Sequence, residues 1–325
     1  MTIWVEQTVD TADLDCIYLT YGEPQAEEFW VKIQNLVPWA VRVDGIKGSD
    51  AAHKAAADAS TTDRFILIDG DNMPDPEFFN LTVTVPNKPT AHRWKARNCI
   101  NGLMYGNGGL SMWHKDFVYN MRTHEASNGQ PDTAIEFCFD PDYHAMYDCY
   151  STTYPNGSPE QAWRAGFREG IKMCLDRGKK PTLEEFKTKV HKRNLDHLCI
   201  WMSIGADVEN GDYAQAGAML AAHLTMIGDH KGLWGFEDFQ YEQVQDFDKL
   251  ADLYSTYINY TVPTFNGQHV VMKTLQDFLT RRLNLPISTM DPNASRFFKR
   301  HYNSSFSNKG PSVTELDVIR KIEGW

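Results

Sequence analysis

The first 70 or so positions alternate between short apolar runs and stretches with helical periodicity. Apolar runs at 16–21, 39–43 and 65–68 predict three strands, and amphipathic stretches at 24–36 and 49–59 predict the helices between them. This alternation is typical of a parallel sheet with right-handed crossovers. We therefore expect an α/β domain whose strands end at one ligand-binding edge.

Later segments carry weaker strand signals and stronger helix signals. Positions 81–85 alternate like a half-exposed strand, and 116–121 have helical character. Ser158 is followed by a proline and a capping-box glutamine, which predicts a helix running to about 176, where Gly178 ends it.

Beyond that glycine the pattern is mainly helical, as at 212–227, 240–260 and 268–283. We expect one region at 1–178 and a mainly helical region at 179–325, with acceptor or DNA binding as the candidate role of the second.

Composition narrows the class of protein. The chain has 325 residues, with 32 Lys plus Arg against 43 Asp plus Glu, a formal charge of −11. Such a field repels polyanions, so any nucleic-acid contact must come from a local basic patch. The six cysteines form no Cys-x-x-Cys pair, and no apolar run approaches the roughly 20 residues that span a bilayer. We expect a cytoplasmic protein with reduced thiols and no membrane partner.

Two carboxylates, Asp69 and Asp71, directly follow the apolar run at 65–68. Carboxylates at the end of a strand, with a glycine between them, can present hard oxygen ligands to Mg²⁺ or Mn²⁺ while substrate phosphates fill the remaining positions. Asp-Gly also marks ordinary hairpin turns, which is the alternative interpretation.

Three segments together resemble a known family. They are 45–72, in which Ser49 or Asp50 can cap an alanine-rich helix before the Asp-x-Asp strand, 105–110, which is rich in glycine, and 162–170. They resemble the GT-A glycosyltransferases, and more closely the phage-encoded enzymes that modify hydroxymethylated pyrimidines in DNA. The resemblance covers roughly 16–178.

The resemblance implies a GT-A-like (Rossmann-like), mostly parallel sheet and a metal-dependent transfer from a nucleoside-diphosphate sugar, with UDP as the expected nucleotide, to DNA in an infected bacterial host. It implies Mn²⁺ or Mg²⁺ on Asp69 and Asp71. It further implies donor contacts from Lys47, Asp50, Lys54, Asp69, Asn107, Gly108, Gly109, Arg164 and Arg168.

The glycine-rich segment lets backbone approach a sugar closely. Asn107 or Ser111 can hydrogen-bond sugar hydroxyls and Trp113 can form a hydrophobic wall. A tight turn between two core strands is the alternative.

An inverting transfer needs a base for the acceptor hydroxyl. Glu136 is the candidate because Ile135, Phe137 and Phe139 surround it, and apolar surroundings raise a carboxylate's pKa. Glu125 and Asp140 are held in reserve. A strand-edge carboxylate in an ion pair is the alternative role, and a retaining enzyme needs no such base.

Cations occur in two further places. Arg164, Arg168 and Lys172 share one face of their helix, where they can hold a diphosphate or a DNA phosphate, although Glu160 and Arg164 also match an ordinary helix ion pair. The Gln-x-x-Arg-Trp pattern of processive family members is absent from this helix. A second group interleaves cations with aromatic rings and can bind phosphates and stack bases, unless it is simply solvated: Arg296, Phe297, Phe298, Lys299, Arg300, His301, Tyr302, Phe306 and Lys309.

Other residues and acceptors stay open at this point. His144, His223 and His230 are weighed as a third metal ligand, but none has diagnostic spacing. Four aromatic residues are candidates to receive a flipped base: Trp94, Trp113, Tyr147 and Tyr150. The alternatives to DNA transfer are a glycan or protein acceptor, and a non-catalytic DNA- or virion-associated binding module.

Overall fold

The computed structural model describes residues 5–105, 109–123, 140–176, 178–228, 246–261 and 270–302. The chain forms two compact units, one of Met1–Cys99 with Met104–Tyr154 and one of Ile100–Leu103 with Pro155–Trp325. The helix that follows Ser158, which the sequence analysis included in the first region, belongs to the second unit.

The first unit contains nine strands and three helices among its described residues. The strands are β1 (Glu6–Asp10), β2 (Asp15–Thr20), β3 (Val41–Asp44), β4 (Arg64–Asp69), β5 (Asn72–Pro74), β6 (Thr82–Pro86), β7 (Ala91–Asn98), β8 (Leu110–His114) and β9 (Tyr143–Thr153). The helices are α1 (Ala26–Leu36), α2 (Ser49–Ala59) and α3 (Lys115–Asn120).

The predicted β-α-β-α-β order is confirmed in β2, α1, β3, α2 and β4. β2 pairs in parallel with β3 on one side and with β4 on the other. Helix α1 packs against one sheet face through Phe29 and Ile33, and α2 packs against the opposite face through Ala56 and Ala57. β4 is therefore covered on both faces, which explains its continuous apolar run.

The larger sheet is mixed, so the expected mostly parallel sheet is not confirmed. Its strand order is β3-β2-β4-β8-β7-β9-β5. β8 runs antiparallel to both β4 and β7, and β5 runs antiparallel to β9, whereas β7 and β9 are parallel. β8 reaches its antiparallel position between β4 and β7 without a helical crossover. The alternation of strands and helices that predicts β2, β3 and β4 does not predict an antiparallel strand there.

A separate two-stranded ribbon joins β1 to β6 in antiparallel register. The sequence predicted the strand at 81–85 and did not predict β1. β1 alternates between exposed and half-buried residues and contains only one aliphatic residue, Val9, so its own pattern carries little signal.

Two helix starts test the capping predictions. Neither Ser49 nor Asp50 caps α2, because the cap position is Gly48 with φ of 96° and no side-chain hydrogen bond. The Ser158 prediction is confirmed, since its side chain accepts a hydrogen bond from the Gln161 N–H and a proline occupies the first turn.

The second unit is helical over its described residues. Its helices are α4 (Pro159–Met173), α5 (Phe186–Lys189), α6 (Lys192–Ser203), α7 (Gly211–Met226), α8 (Phe247–Thr261), α9 (Val270–Leu283) and α10 (Pro292–His301). In the described parts of both units, no helix is long and apolar enough to cross a bilayer.

Helices α4 and α7 approach each other at glycines. A Cβ on Gly166 would collide with the Ala214 carbonyl oxygen, and one on Gly217 would collide with the Trp163 carbonyl oxygen. A Cβ on Gly170 would lie 2.7 Å from the Ala218 oxygen. Two glycines of the 162–170 segment are thus required by helix packing.

This contact predicts the effect of adding one methyl group. Gly166→Ala should destabilise the protein by about 1–3 kcal/mol or more, because overpacking against backbone outweighs the gain in helix propensity. The matched change Ala165→Ser, at a half-buried position of the same helix, should cost less than about 0.5 kcal/mol. Urea unfolding measures both. Equal stability of the two variants would contradict the close approach.

Candidate functional site

The candidate site lies at the carboxyl ends of β2 and β4, where the crossover helices α1 and α2 lie on opposite faces of the sheet. The chain leaves β2 through α1 on one sheet face and reaches β4 through α2 on the other. A crevice forms beyond the carboxyl ends of strands at such a switch point, and ligands of open α/β sheets bind there. In this protein the loops that follow β2 and β4 border the crevice.

These two loops touch. A Cβ on Gly70 would collide with Glu23 Oε2, so any larger residue here would displace the Glu23 carboxylate. The buried Tyr18 hydroxyl lies beneath both, 2.8 Å from the Gly70 oxygen and 3.4 Å from the Ala26 oxygen. The structure therefore places Glu23 beside the Asp-x-Asp turn.

Asp69 ends β4 in an environment that disfavours its charge. The residue is exposed to solvent, although the many protein atoms around its carboxylate desolvate it. This desolvation, followed by the negative charges of Asp71 and Glu23, raises its pKa from the ordinary value of 3.8 to about 8. All three causes act against ionisation. A bound cation would reverse this local electrostatic balance.

Asp71 is held by its backbone. Its carbonyl oxygen accepts a hydrogen bond of 2.7 Å from the Tyr154 N–H, and the next residue, Asn72, pairs with Thr153. The turn between Asp69 and Asp71 is therefore fixed at both ends, by β4 and by the ladder of β5 with β9.

Gly109 completes the crevice wall. Its carbonyl oxygen accepts from the Asp69 N–H at 2.8 Å, and its φ is 70°. An added Cβ would lie 2.7 Å from Asn72 Nδ2 and 3.0 Å from Asp69 Oδ2. A side chain at this position would therefore fill the space next to the Asp69 carboxylate. Asn107 and Gly108 lie outside the described residues.

The expected roles of Ser111 and Trp113 as sugar contacts are wrong. Trp113 is 3 % exposed and packs in the core with Phe117. Its indole N–H donates to the Ser111 hydroxyl at 2.7 Å, so the two residues satisfy each other inside the sheet. Trp94, also a candidate for base stacking, is 1 % exposed and belongs to the core.

Glu136 and Glu125 fall outside the described residues, and His230, Phe306 and Lys309 do as well. The reserve base Asp140 is described, and it is exposed before β9. Tyr147 is 78 % exposed, whereas Tyr150 is half-buried against the core.

Three predicted nucleoside contacts lie after β3. Lys47 is exposed in the loop between β3 and α2, at the same sheet edge as Asp69. Asp50 and Lys54 form an ion pair of 2.7 Å with each other on the first turns of α2. This ion pair gives both residues a structural role.

A polar network at the ends of β2 and β3 was not predicted from the sequence pattern. The Thr20 hydroxyl donates to Asp44, and the Arg42 guanidinium bonds Thr20 at 3.0 Å, Asp44 at 3.4 Å and Glu27 at 2.6 Å. The hydrogen bond from Thr20 is the largest cause, and together with Arg42 it holds the pKa of Asp44 below its ordinary value. The neighbouring Tyr21 ring is 49 % exposed. The available signal was a polar residue at the end of each parallel strand.

Arg164 and Arg168 lie in the second unit, on α4. Their guanidinium carbons are 4.2 Å and 5.4 Å from the centroid of the Phe247 ring, which makes cation–π contacts. Lys172 pairs with Glu169 at 2.9 Å. The expected shared face is present, and these contacts give it a structural role.

The basic segment near the C-terminus is also partly structural. Lys299 forms a 2.7 Å ion pair with Asp207, whose side chain is 5 % exposed. Phe297 and Phe298 are buried. Arg296 hydrogen-bonds Asn293 on the same helix. Lys299 is thus a poor candidate for a phosphate contact.

The chemistry of the Asp-x-Asp turn matches that of the implied metal. The donor set of Asp69 and Asp71 is hard oxygen. Gly70 leaves room for the Glu23 carboxylate, and Gly109 places no side chain of its own beside Asp69. Over the residues that the structure describes, no group of three or more His, Cys, Asp or Glu side chains is arranged to hold a metal ion alone. Mg²⁺ commonly takes one or two carboxylates plus substrate phosphates. The residues fit an ion of that kind.

The weighed histidines lie elsewhere. His144 stacks on His92 with ring centroids 4.9 Å apart, and His223 packs edge-on against Phe278. Neither belongs to a metal-binding group among the described residues.

Comparison of the chain with protein-family models, with curated proteins and with solved structures finds no match.

The raised pKa of Asp69 predicts that its ionisation lowers the stability of the metal-free folded protein. Its folded pKa of about 8 exceeds the ordinary 3.8, so the penalty for ionisation grows as pH rises from about 4 to 8. Asp69→Asn should therefore raise Tm in EDTA, by more at pH 9 than at pH 6.

Asp148→Asn, at an exposed position of β9, is the control and should leave Tm nearly unchanged at both pH values. Differential scanning calorimetry measures all three proteins. A lower Tm for Asp69→Asn at pH 9 would refute the electrostatic description of the crevice.

Proposed function

We propose that the chain is a metal-dependent glycosyltransferase that moves a sugar from a nucleoside-diphosphate sugar, with UDP as the expected nucleotide, to hydroxymethylated pyrimidine in DNA. The observation that carries the proposal is the convergence of Glu23, Asp69 and Asp71 at the switch point between β2 and β4. This is the position where open α/β sheets bind nucleotides, and the excess of negative charge there favours a cation.

Asp69 and Asp71 would hold Mn²⁺ or Mg²⁺ together with the donor diphosphate. When bound, the ion acts as a Lewis acid that stabilises the charge on the departing diphosphate. The protein's own contribution is placement. The Tyr18 hydroxyl bonds the Gly70 oxygen from below, Gly70 leaves room for the Glu23 carboxylate, and Gly109 places no side chain beside Asp69.

The ends of β2 and β3 supply a nucleoside subsite. Asp44 stays ionised through Thr20 and Arg42, so its carboxylate can accept a hydrogen bond from a base N–H or a ribose hydroxyl. The exposed Tyr21 ring can stack on a base. Lys47, exposed in the next loop, is a cation at the same sheet edge that can contact a phosphate.

The chemical step follows from the acceptor. Its hydroxyl oxygen attacks the anomeric carbon, the bond from that carbon to the diphosphate oxygen breaks, and the hydroxyl proton passes to a base. In an inverting enzyme this base is a carboxylate within hydrogen-bond reach of the hydroxyl. Glu136 is the proposed base on the strength of its apolar sequence neighbours, and the resemblance supplies the DNA acceptor.

Sugar transfer should depend on the Asp71 carboxylate, whereas the stability of the fold should not. Asp71→Asn is expected to remove most transfer without lowering Tm, because the residue serves the ligand and its charge disfavours that of Asp69. The assay incubates the protein with Mn²⁺, a panel of nucleotide sugars and hydroxymethylated DNA, and then measures the masses of the digested nucleosides. Asp148→Asn serves again as control. Full turnover by Asp71→Asn in EDTA would contradict the proposal.

Glu136→Gln keeps the side-chain shape and removes the ability to accept a proton. It should bind donor normally and reduce turnover by about two to four orders of magnitude. Single-turnover kinetics together with donor titration separate the two effects. Normal turnover, or a product that retains the donor's anomeric configuration, would transfer the role to Glu125 or Asp140, or to no residue.

A further inference from the structure

One sheet face pairs cations with aromatic rings along β7 and β9. The Arg93 guanidinium carbon lies 5.7 Å from the centroid of the Tyr143 ring, and Lys95 Nζ lies 5.7 Å from that of the Tyr147 ring. Arg97 follows two positions later and is exposed. We call these five residues the β7–β9 stripe.

The burial pattern shows that the cations of the stripe lie on the less buried face of β7. Arg93 and Lys95 are half-buried and Arg97 is exposed, whereas the intervening Trp94 and Ala96 are 1 % and 3 % exposed. The bulges between β7 and β9 lie at this level, and Tyr147 on β9 is 78 % exposed. An aromatic ring this exposed, beside cations, forms a flat surface available for stacking.

Strand register places the stripe beside the carboxylate site. Ser111 of β8 pairs with Leu67 of β4 and with Arg93 of β7, so these three side chains share one face. Asp69 and Lys95 each come two positions later, and β4 and β7 both run antiparallel to β8. They therefore lie on the same face and level, about 10 Å apart across one intervening strand.

The positive charge of the stripe favours a polyanionic ligand. The chain as a whole carries a formal charge of −11, which repels polyanions, whereas three cations at alternate positions of one strand form a local attractive track. An acid also lies within the influence of this track. Burial and Glu77 raise the pKa of Asp75, and the charge of Arg97 opposes them.

We propose that the β7–β9 stripe binds a nucleic-acid strand, with phosphates on Arg93, Lys95 and Arg97 and an unstacked base on Tyr147. Cations beside an exposed aromatic ring are the combination used to bind single strands. An acidic peptide would use the cations but not the ring. The idea that the stripe leads the acceptor to Asp69 rests on the proposed function. Binding of a nucleic-acid strand to the stripe requires neither the metal nor the donor.

The test is fluorescence anisotropy of a labelled single-stranded oligonucleotide in EDTA, without nucleotide, over a range of salt concentrations. The double variant Lys95→Gln/Arg97→Gln should bind about tenfold more weakly at low salt. Its slope of log affinity against log salt should fall by about 1.4, or about 0.7 for each phosphate that the variant no longer neutralises. Tyr147→Ala should weaken binding by about fivefold or more with an unchanged slope.

Matched controls exclude net charge and unfolding as causes. Lys187→Gln/Lys189→Gln makes the same charge change at exposed positions of α5, and Tyr119→Ala removes an exposed ring from α3. Both should bind like the wild type, and circular dichroism with Tm should show all variants folded. Equally weakened binding in the test and control variants would overturn the proposal, as would effective competition by polyglutamate.

The outcomes separate this inference from the proposed function. Oligonucleotide binding that depends on the stripe, in a protein without transferase activity, would support the stripe and count against the enzyme. Wild-type protein that transfers sugar but shows no oligonucleotide affinity at low salt would overturn the stripe and leave the carboxylate site standing.

Discussion

The divergence of two crossovers around β2 determines where the chemical groups of the first unit lie. Because α1 and α2 pack on opposite sheet faces, the loops at the carboxyl ends of β2 and β4 lie at a switch point, where ligands of open α/β sheets bind. The Tyr18 hydroxyl, buried beneath them, lies 2.8 Å from the Gly70 oxygen and 3.4 Å from the oxygen of Ala26, the first residue of α1. Glu23 and the Asp-x-Asp turn are thereby fixed against each other. Strand order, more than any local motif, brings the carboxylates together.

The same edge holds two kinds of carboxylate. Asp69 is crowded by protein and by two other acids, which raises its pKa to about 8. Asp44, at the end of the strand that pairs with β2 on the other side, keeps a lowered pKa through the Thr20 hydroxyl and Arg42. The first environment favours a cation and the second favours a hydrogen-bond donor. A metal-bound diphosphate joined to a nucleoside would present both groups, which is why a nucleotide suits this edge.

The sequence predicted those parts that follow from local periodicity. β2, α1, β3, α2 and β4 repeat short patterns, and Asp69 had to end a strand. Glu23 and Arg42 could not be found, because their partners Gly70 and Glu27 become neighbours only through the fold. Trp113 looked like a ligand contact because a sequence gives no sign that β8 inserts between β4 and β7. Gly166 resembled part of a site and instead serves the contact of α4 with α7.

The central claim, that Asp69 and Asp71 bind a divalent cation together with a nucleoside diphosphate, is tested most directly by crystallography. Crystals grown with Mn²⁺ and UDP, measured at the manganese absorption edge, locate the ion by its anomalous scattering. We expect one peak about 2.2 Å from a carboxylate oxygen of Asp69 or Asp71 and from a diphosphate oxygen. A bound nucleotide whose manganese lies away from the crevice between β2 and β4 would contradict it.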